Sequence, residues 1–171
     1  EGYTTDLITG HGVDFIKRNR NRPFLLYLAH EAPHYPYQGR NDPPRYTREN
    51  GRMKDPVTPE VYKEMIEVMD EGVGRIREAI DDAGLTESTF IFFFSDNGPA
   101  APGSAGPLRG KKGQIWEGGH RVPAIAYWPG RIEGGRVSHL PAMGADLLPT
   151  MAAMSGAALP NGVALDGINL L

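Results

Sequence analysis

Cysteine is absent from this chain, which excludes disulfides, thiolate nucleophiles and thiolate metal sites while leaving the compartment open. No apolar run approaches the ~20 residues that a helix needs to cross a bilayer, and no signal peptide opens the sequence. A basic excess is missing too. Eighteen Lys and Arg stand against 21 Asp and Glu, a net charge of −3, so there is no footprint for nucleic acid. With 171 residues, 40% of them hydrophobic and 23% charged, the chain is long enough for one domain core and too mixed for disorder. It starts at Glu1 without Met, which leaves room for a targeting segment removed earlier. Internal repeats and low-complexity tracts are also missing.

What is present alternates helical and strand patterns. Thr4 or Thr5 is suited to cap a first helix through about Asn19, with Leu7, Ile8, Phe15 and Ile16 as its apolar face. The run Phe24 to Ala29 reads as a strand buried on both sides. Residues 30 to 57, rich in Pro, Arg, Asn and Asp, read as a long surface loop. Thr58 as N-cap, Pro59 at the first helical position and Glu60 in the first turn then open a helix. Val61, Met65, Val68, Met69, Val73, Ile76 and Ile80 form its core stripe, and Gly84 is placed to end it. A strand over Thr89 to Ser95, a glycine-rich loop, a strand over Pro123 to Trp128 and a helix near Asp146 to Ser155 closed by Gly156 follow. This alternation predicts an α/β fold, a mostly parallel sheet with helices on both faces.

Chemistry concentrates where strands end. Ser95-Asp96-Asn97-Gly98-Pro99 directly follows the apolar run Thr89 to Phe94. The carboxyl end of a buried strand is where ligands bind in open α/β sheets, and a carboxylate beside an amide carbonyl suits a hard cation such as calcium or magnesium. The same residues also suit a simple Asx turn. The loop from Gly98 to Gly119, both included, contains seven glycines, a sign of backbone approach to an anion or of flexibility. Arg109, Lys111 and Lys112 are a basic cluster within it, but no Walker spacing is present, since position 105 is Ala and Lys112 follows Lys111. His30-Glu31-Ala32-Pro33-His34 matches the zinc-protease pattern in letters, but Pro33 and Pro36 disfavour the helix that pattern requires. His30 has no assigned role, and Glu117 with Arg121 reads as an ion pair bracing a turn.

Four blocks in fixed order carry a resemblance. They are His30-Glu31-Ala32-Pro33-His34-Tyr35-Pro36, Ser95-Asp96-Asn97-Gly98-Pro99, Pro107-Leu108-Arg109-Gly110-Lys111-Lys112-Gly113, and Trp116-Glu117-Gly118-Gly119-His120-Arg121-Val122-Pro123. The chain resembles the formylglycine-dependent sulfatases of the alkaline phosphatase superfamily, and within them it is similar to the arylsulfatase A and N-acetylgalactosamine-6-sulfatase group. The resemblance covers residues 3 to 171, as one partial catalytic domain over 1–171. It implies that Asp96 and Asn97 are metal ligands for Ca2+, with Mg2+ as an alternative. His34 and Lys112 become the catalytic and substrate-binding groups that grip the sulfate and can protonate the leaving oxygen. Lys111 stays open as the inward lysine, and Lys112 is preferred because it directly precedes Gly113.

The family's nucleophile is a formylglycine made from Cys or Ser in a Cys/Ser-x-Pro-x-Arg motif. None of Ser88, Ser95, Ser104, Ser138 and Ser155 sits in that context. The resemblance therefore implies an internal sulfatase segment, catalytically silent in isolation and prone to self-association through an unpaired strand edge. Its tail, residues 157 to 171, is expected to dangle. A sulfated small molecule or sulfated sugar is the implied substrate of the parent, in a periplasmic, secreted or lysosomal-type compartment. A phosphodiesterase or phosphonate hydrolase of the same superfamily, or a non-catalytic sulfatase-like binding module, is the alternative.

Overall fold

A computed structural model describes residues 1–43, 57–159 and 161–171. They form two compact units, Glu1–Ile132 and Glu133–Leu171. In the first, helix α1 (Thr4–Asn19) packs against helix α2 (Pro59–Asp82). Helix α2 begins as its sequence predicts: the Thr58 hydroxyl accepts from Val61 N at 3.3 Å, with Pro59 in the first turn. It ends on Gly84 at φ +71°, with Gly84 N bonded to Asp81 O and Leu85 N to Ile80 O. That pair of bonds is the Schellman arrangement, which satisfies carbonyls the helix itself cannot.

Helix α1 departs from expectation. Tyr3, not a threonine, is its N-cap, and no side chain caps it. Leu7 is exposed, and the buried positions are Thr5, Thr9, Gly12, Ile16 and Asn19. The spacing is still helical, but the face is made of small and polar residues because the two helices approach closely. A methyl group on Gly72 would lie 2.5 Å from Thr9 Oγ1, and one on Gly12 would lie 2.8 Å from Ile76 Cδ1. The buried hydroxyl of Thr9 is satisfied within its own helix, donating to Thr5 O at 2.9 Å, and Asn19 Nδ2 donates to Phe15 O at 2.7 Å. Ile16, Ala79 and Ile80 form the core below this contact, joined by Phe24, Leu26 and Ile91.

The expected strand over residues 24–29 is corrected to an extended segment without a ladder. Phe24, Leu26 and Leu28 are half-buried while Leu25 and Tyr27 are exposed, so only one side of it meets the core. The sheet consists of β1 (Ile91–Phe94) and β2 (Ala124–Tyr127), in register Ile91 with Tyr127 and Phe94 with Ala124. This pair is antiparallel, against the parallel pairing that alternation predicted. The connection between the two strands is a loop with one short helical turn, α3 (Glu117–His120), not a crossover helix, and such a connection can return the chain antiparallel. Alternation along β1 sends Ile91 to the helical core while Phe90, Phe92 and Phe94 line up ring against ring on the other face. Within the predicted loop of residues 30 to 57, residues 30–43 are irregular and 44–56 lie outside the described residues.

In the second unit, helix α4 (Leu147–Ser155) ends at Gly156, whose φ is +69°. The tail does not dangle. Asp146 accepts from Met143 N at 2.7 Å and from Ile168 N at 2.8 Å, and Leu170 N donates to Thr150 Oγ1 at 3.0 Å. The sequence shows Gly, Pro and Asn there but not these long-range acceptors.

Two outcomes follow from this packing. Gly72→Ala gains about 1 kcal/mol of helix propensity but overpacks the buried Thr9, which costs about 1–3 kcal/mol, so urea denaturation should show net destabilisation. Gly74→Ala on the same helix, where nothing lies within 4 Å, should stabilise. In the second unit, the amides of Ile168 and then Met143 hold the Asp146 carboxyl below its ordinary value. Its contribution is therefore complete above the unfolded value of about 3.9 and is lost as pH falls through the lower folded value. Protection of the Ile168 amide, relative to the exchange rate of an unstructured amide at the same pH, should fall through that acid window in the native chain, and be reduced already at neutral pH in Asp146→Asn.

Candidate functional site

Strand β1 delivers the chain to Ser95, whose amide still pairs with Pro123 O at 3.2 Å and whose hydroxyl donates to Asn97 O at 3.0 Å. Asp96 is exposed and Asn97 half-buried. Asn97 Nδ2 donates to Asp96 Oδ2, which directs the amide nitrogen into the pair and leaves Asn97 Oδ1 and Asp96 Oδ1 as oxygen donors. That donor set fits one part of a hard-cation shell. It is not a whole shell: among the described residues no group of three or more His, Cys, Asp and Glu is clustered to hold a metal.

Beyond Asn97 the backbone folds into a knot. Gly98 N bonds Gly119 O at 2.9 Å, Lys112 N bonds Pro99 O at 3.0 Å, and Gly118 N bonds Arg109 O at 2.7 Å. Side chains have no room at the crossings. A methyl on Gly98 would lie 1.9 Å from Gly118 O, one on Gly118 would lie 2.3 Å from Gly110 O, and one on Gly119 would lie 2.0 Å from Gln114 O. These glycines serve close backbone packing, which is neither of the roles expected of them from sequence. Gly110 and Gly113 add turns at φ +94° and +82°. On the outside, the Arg109 guanidinium lies 3.6 Å from the centre of the Trp116 ring.

Both candidate lysines are exposed. The Lys112 backbone is fixed to Pro99, two residues from Asn97, whereas Lys111 N and O close locally on Gln114, at 3.1 and 3.0 Å. Among the described residues neither ammonium makes a salt bridge. The Glu117–Arg121 pair forms as read from sequence, at 3.2 Å, but with side chains 60% and 63% exposed it contributes only about 0.2–1 kcal/mol.

His34 follows the extended segment on an irregular turn, with its amide bonded to Glu31 O at 2.7 Å. The His30 to His34 segment is not helical, so the zinc-protease geometry does not arise. His30 Nδ1 is buried and has no hydrogen-bond partner among the described residues, and burial lowers the pKa of that imidazole, which favours its neutral form. No hydrogen bond joins His34 directly to Asp96, Asn97 or Lys112 among the described residues. The link runs through Tyr37, whose hydroxyl donates to Ala101 O at 3.1 Å and whose ring lies 6.1 Å from that of Tyr62. Tyr62 in turn packs at Gly103, where a methyl would lie 2.5 Å from its hydroxyl.

Arg40 secures the same segment from the other side. Its guanidinium binds both carboxylate oxygens of Asp6 at 2.9 Å and Glu71 at 2.8 Å, and its amide donates to Glu64 at 2.9 Å. Sequence reasoning missed Tyr37, Tyr62 and Arg40. Tyr37 in an otherwise polar loop was a weak signal, Tyr62 read only as a residue in the first turn of α2, and Arg40 gave none, since its partners lie on two distant helices.

Replacing Gly98 by Ala should break the knot where backbone, which cannot swing aside, opposes the new methyl. Hydrogen exchange should then become faster at the Lys112 and Gly118 amides but not within α1. Unchanged protection at Lys112 would contradict the knot.

Residues 1–157 match the family model described as Sulfatase. The chain is 38% identical to human N-acetylgalactosamine-6-sulfatase over 178 residues, covering 100% of this chain and 32% of that protein. It is 41% identical to human arylsulfatase A over 159 residues, covering 90% and 29%. Among solved structures, that of Ps i-CgsB in complex with k-i-k-neocarrahexaose superposes with a TM-score of 0.84 at 36% identity, over 98% of this chain and 37% of that one. The PsFucS1 sulfatase from Pseudoalteromonas sp. superposes at 0.71 with 31% identity, over 96% and 32%. The chain thus spans about a third of the length of the curated relatives it matches. Its fold is the α/β fold of those neighbours, and the chain belongs to the sulfatase family.

Proposed function

We propose that the protein carrying this chain hydrolyses sulfate esters, with Asp96 and Asn97 as part of a calcium site and His34 and Lys112 as the sulfate grip. A sulfated sugar is the substrate class best supported, because one relative is named for N-acetylgalactosamine 6-sulfate and one neighbour was solved with a carrahexaose. The observation that carries the site is the Lys112 N to Pro99 O bond, which ties the lysine's backbone to the strip that follows Asp96 and Asn97. A divalent cation bound there, with magnesium as the alternative to calcium, would neutralise sulfate charge.

The chain's own residues have separable tasks. Asp96 Oδ1 and Asn97 Oδ1 present oxygens to the cation, and the hydrogen bond between their side chains fixes the two relative to each other. Lys112, a compact point charge on a flexible stem, suits a single contact to an oxyanion. His34 offers Nε2, which is not used by its own backbone contact, to hold or donate a proton at the leaving oxygen. The nucleophile, formylglycine by family resemblance, is not a residue of this chain, so the reaction belongs to the longer protein. By the same resemblance its place of work is periplasmic, secreted or lysosomal in type.

In the full-length protein, Lys112→Ala and Asp96→Ala should each lower kcat on a sulfated sugar about a hundredfold or more. Lys111→Ala should stay within about threefold, as befits a solvated charge. A larger loss at Lys111 than at Lys112 would reverse the lysine assignment, and full activity of both Lys112→Ala and Asp96→Ala would end the proposal. This chain alone should bind calcium weakly by isothermal titration, since two oxygens are a minority of the six to eight that calcium takes.

A further inference from the structure

Tyr35 has no part in the reading above, yet it makes the two contacts of the His34 ring found among the described residues. His34 Nδ1 lies 2.8 Å from Tyr35 O. A carbonyl oxygen only accepts, so Nδ1 carries the hydrogen and the lone pair of the neutral ring sits on Nε2. The imidazole also lies against the Tyr35 ring, centroids 4.6 Å apart and planes 33° from parallel. Both residues are exposed, Tyr35 at 61%, so no core packing holds the histidine. An exposed side chain otherwise samples its rotamers on a picosecond to nanosecond scale. The phenol hydroxyl makes no hydrogen bond among the described residues, which leaves the flat face as the part of Tyr35 in use.

We propose that Tyr35 is a positioning residue for His34: its carbonyl selects the tautomer and its ring sets the imidazole plane, so that Nε2 is the atom turned outward for proton transfer. The role in turnover rests on the sulfate-ester reading, but the positioning itself does not. A ring is required and a hydroxyl is not. Tyr35→Phe should therefore replace the wild type, whereas Tyr35→Leu keeps the carbonyl and removes the plane against which the imidazole lies.

The test has two arms. In this chain, labelled with 15N-histidine and held in alkaline solution where imidazole is neutral, the His34 signals of wild type and Tyr35→Phe should report a protonated Nδ1 and a bare Nε2. Those of Tyr35→Leu should move toward a mixture of tautomers. In the full-length protein, Tyr35→Leu should lower kcat on a sulfated sugar about tenfold, within the roughly hundredfold that misplacing a reacting group costs, with KM little changed and Tyr35→Phe near wild type. Identical His34 signals in all three chains would overturn the positioning role, and so would a Tyr35→Phe protein as slow as Tyr35→Leu, which would assign the effect to the hydroxyl. The expected signals together with no hydrolysis of sulfate esters by the wild-type full-length protein would leave the positioning intact and refute the functional reading.

Discussion

The crossing of Gly98 with Gly118 and Gly119 is the constraint on which the site depends. Two stretches of chain twenty residues apart in sequence meet there at distances that admit only hydrogen. Because the meeting is backbone to backbone, the direction in which Asp96, Asn97 and Lys112 leave the main chain is set by hydrogen bonds, not by side-chain packing. A loop so closed loses the mobility that its glycine content would otherwise confer. The cationic residues between Arg109 and Lys112 thus project from a fixed ring, and Arg109 is further held by its contact with Trp116.

A second layer of constraint joins this ring to the helices. The close α1–α2 contact, permitted by Gly12 and Gly72, puts Asp6 and Glu71 within reach of one guanidinium, that of Arg40. Arg40 then anchors the segment that carries His34, and Tyr37 ties the same segment to Ala101 beyond the metal-ligand candidates. Helix packing is thereby coupled to the placement of an exposed histidine through two side chains, neither of which needs to touch substrate.

Legibility from sequence followed the range of the physics. Helix α2 was readable to its ends because its cap, its first-turn proline and its terminal glycine act over a few residues. Helix α1 was readable as a helix but not in its buried face, since Thr5, Thr9 and Asn19 are buried by a partner helix that local pattern does not disclose. The extended segment over residues 24–29 has the composition of a two-sided strand, yet only alternate residues meet the core, and apolar composition alone does not say how many sides are covered. The antiparallel ladder and the docked tail likewise depend on long-range hydrogen bonds. At the candidate site, family resemblance supplied candidate residues and their order, while the knot and the Tyr37 and Arg40 links were not legible.

Exposure of the candidate groups bears on how they can act. Asp96, Lys112 and His34 all face solvent in this chain, where a unit charge pair at 4 Å is worth only about 1 kcal/mol and salt weakens it further. Catalysis by charge requires the same groups in a drier setting, where the interaction grows several-fold. The relatives are about three times as long as this chain. What this chain shows is therefore geometric. It holds a carboxylate and an amide side by side, a lysine on a ring closed by backbone hydrogen bonds and a histidine with one nitrogen committed to a carbonyl.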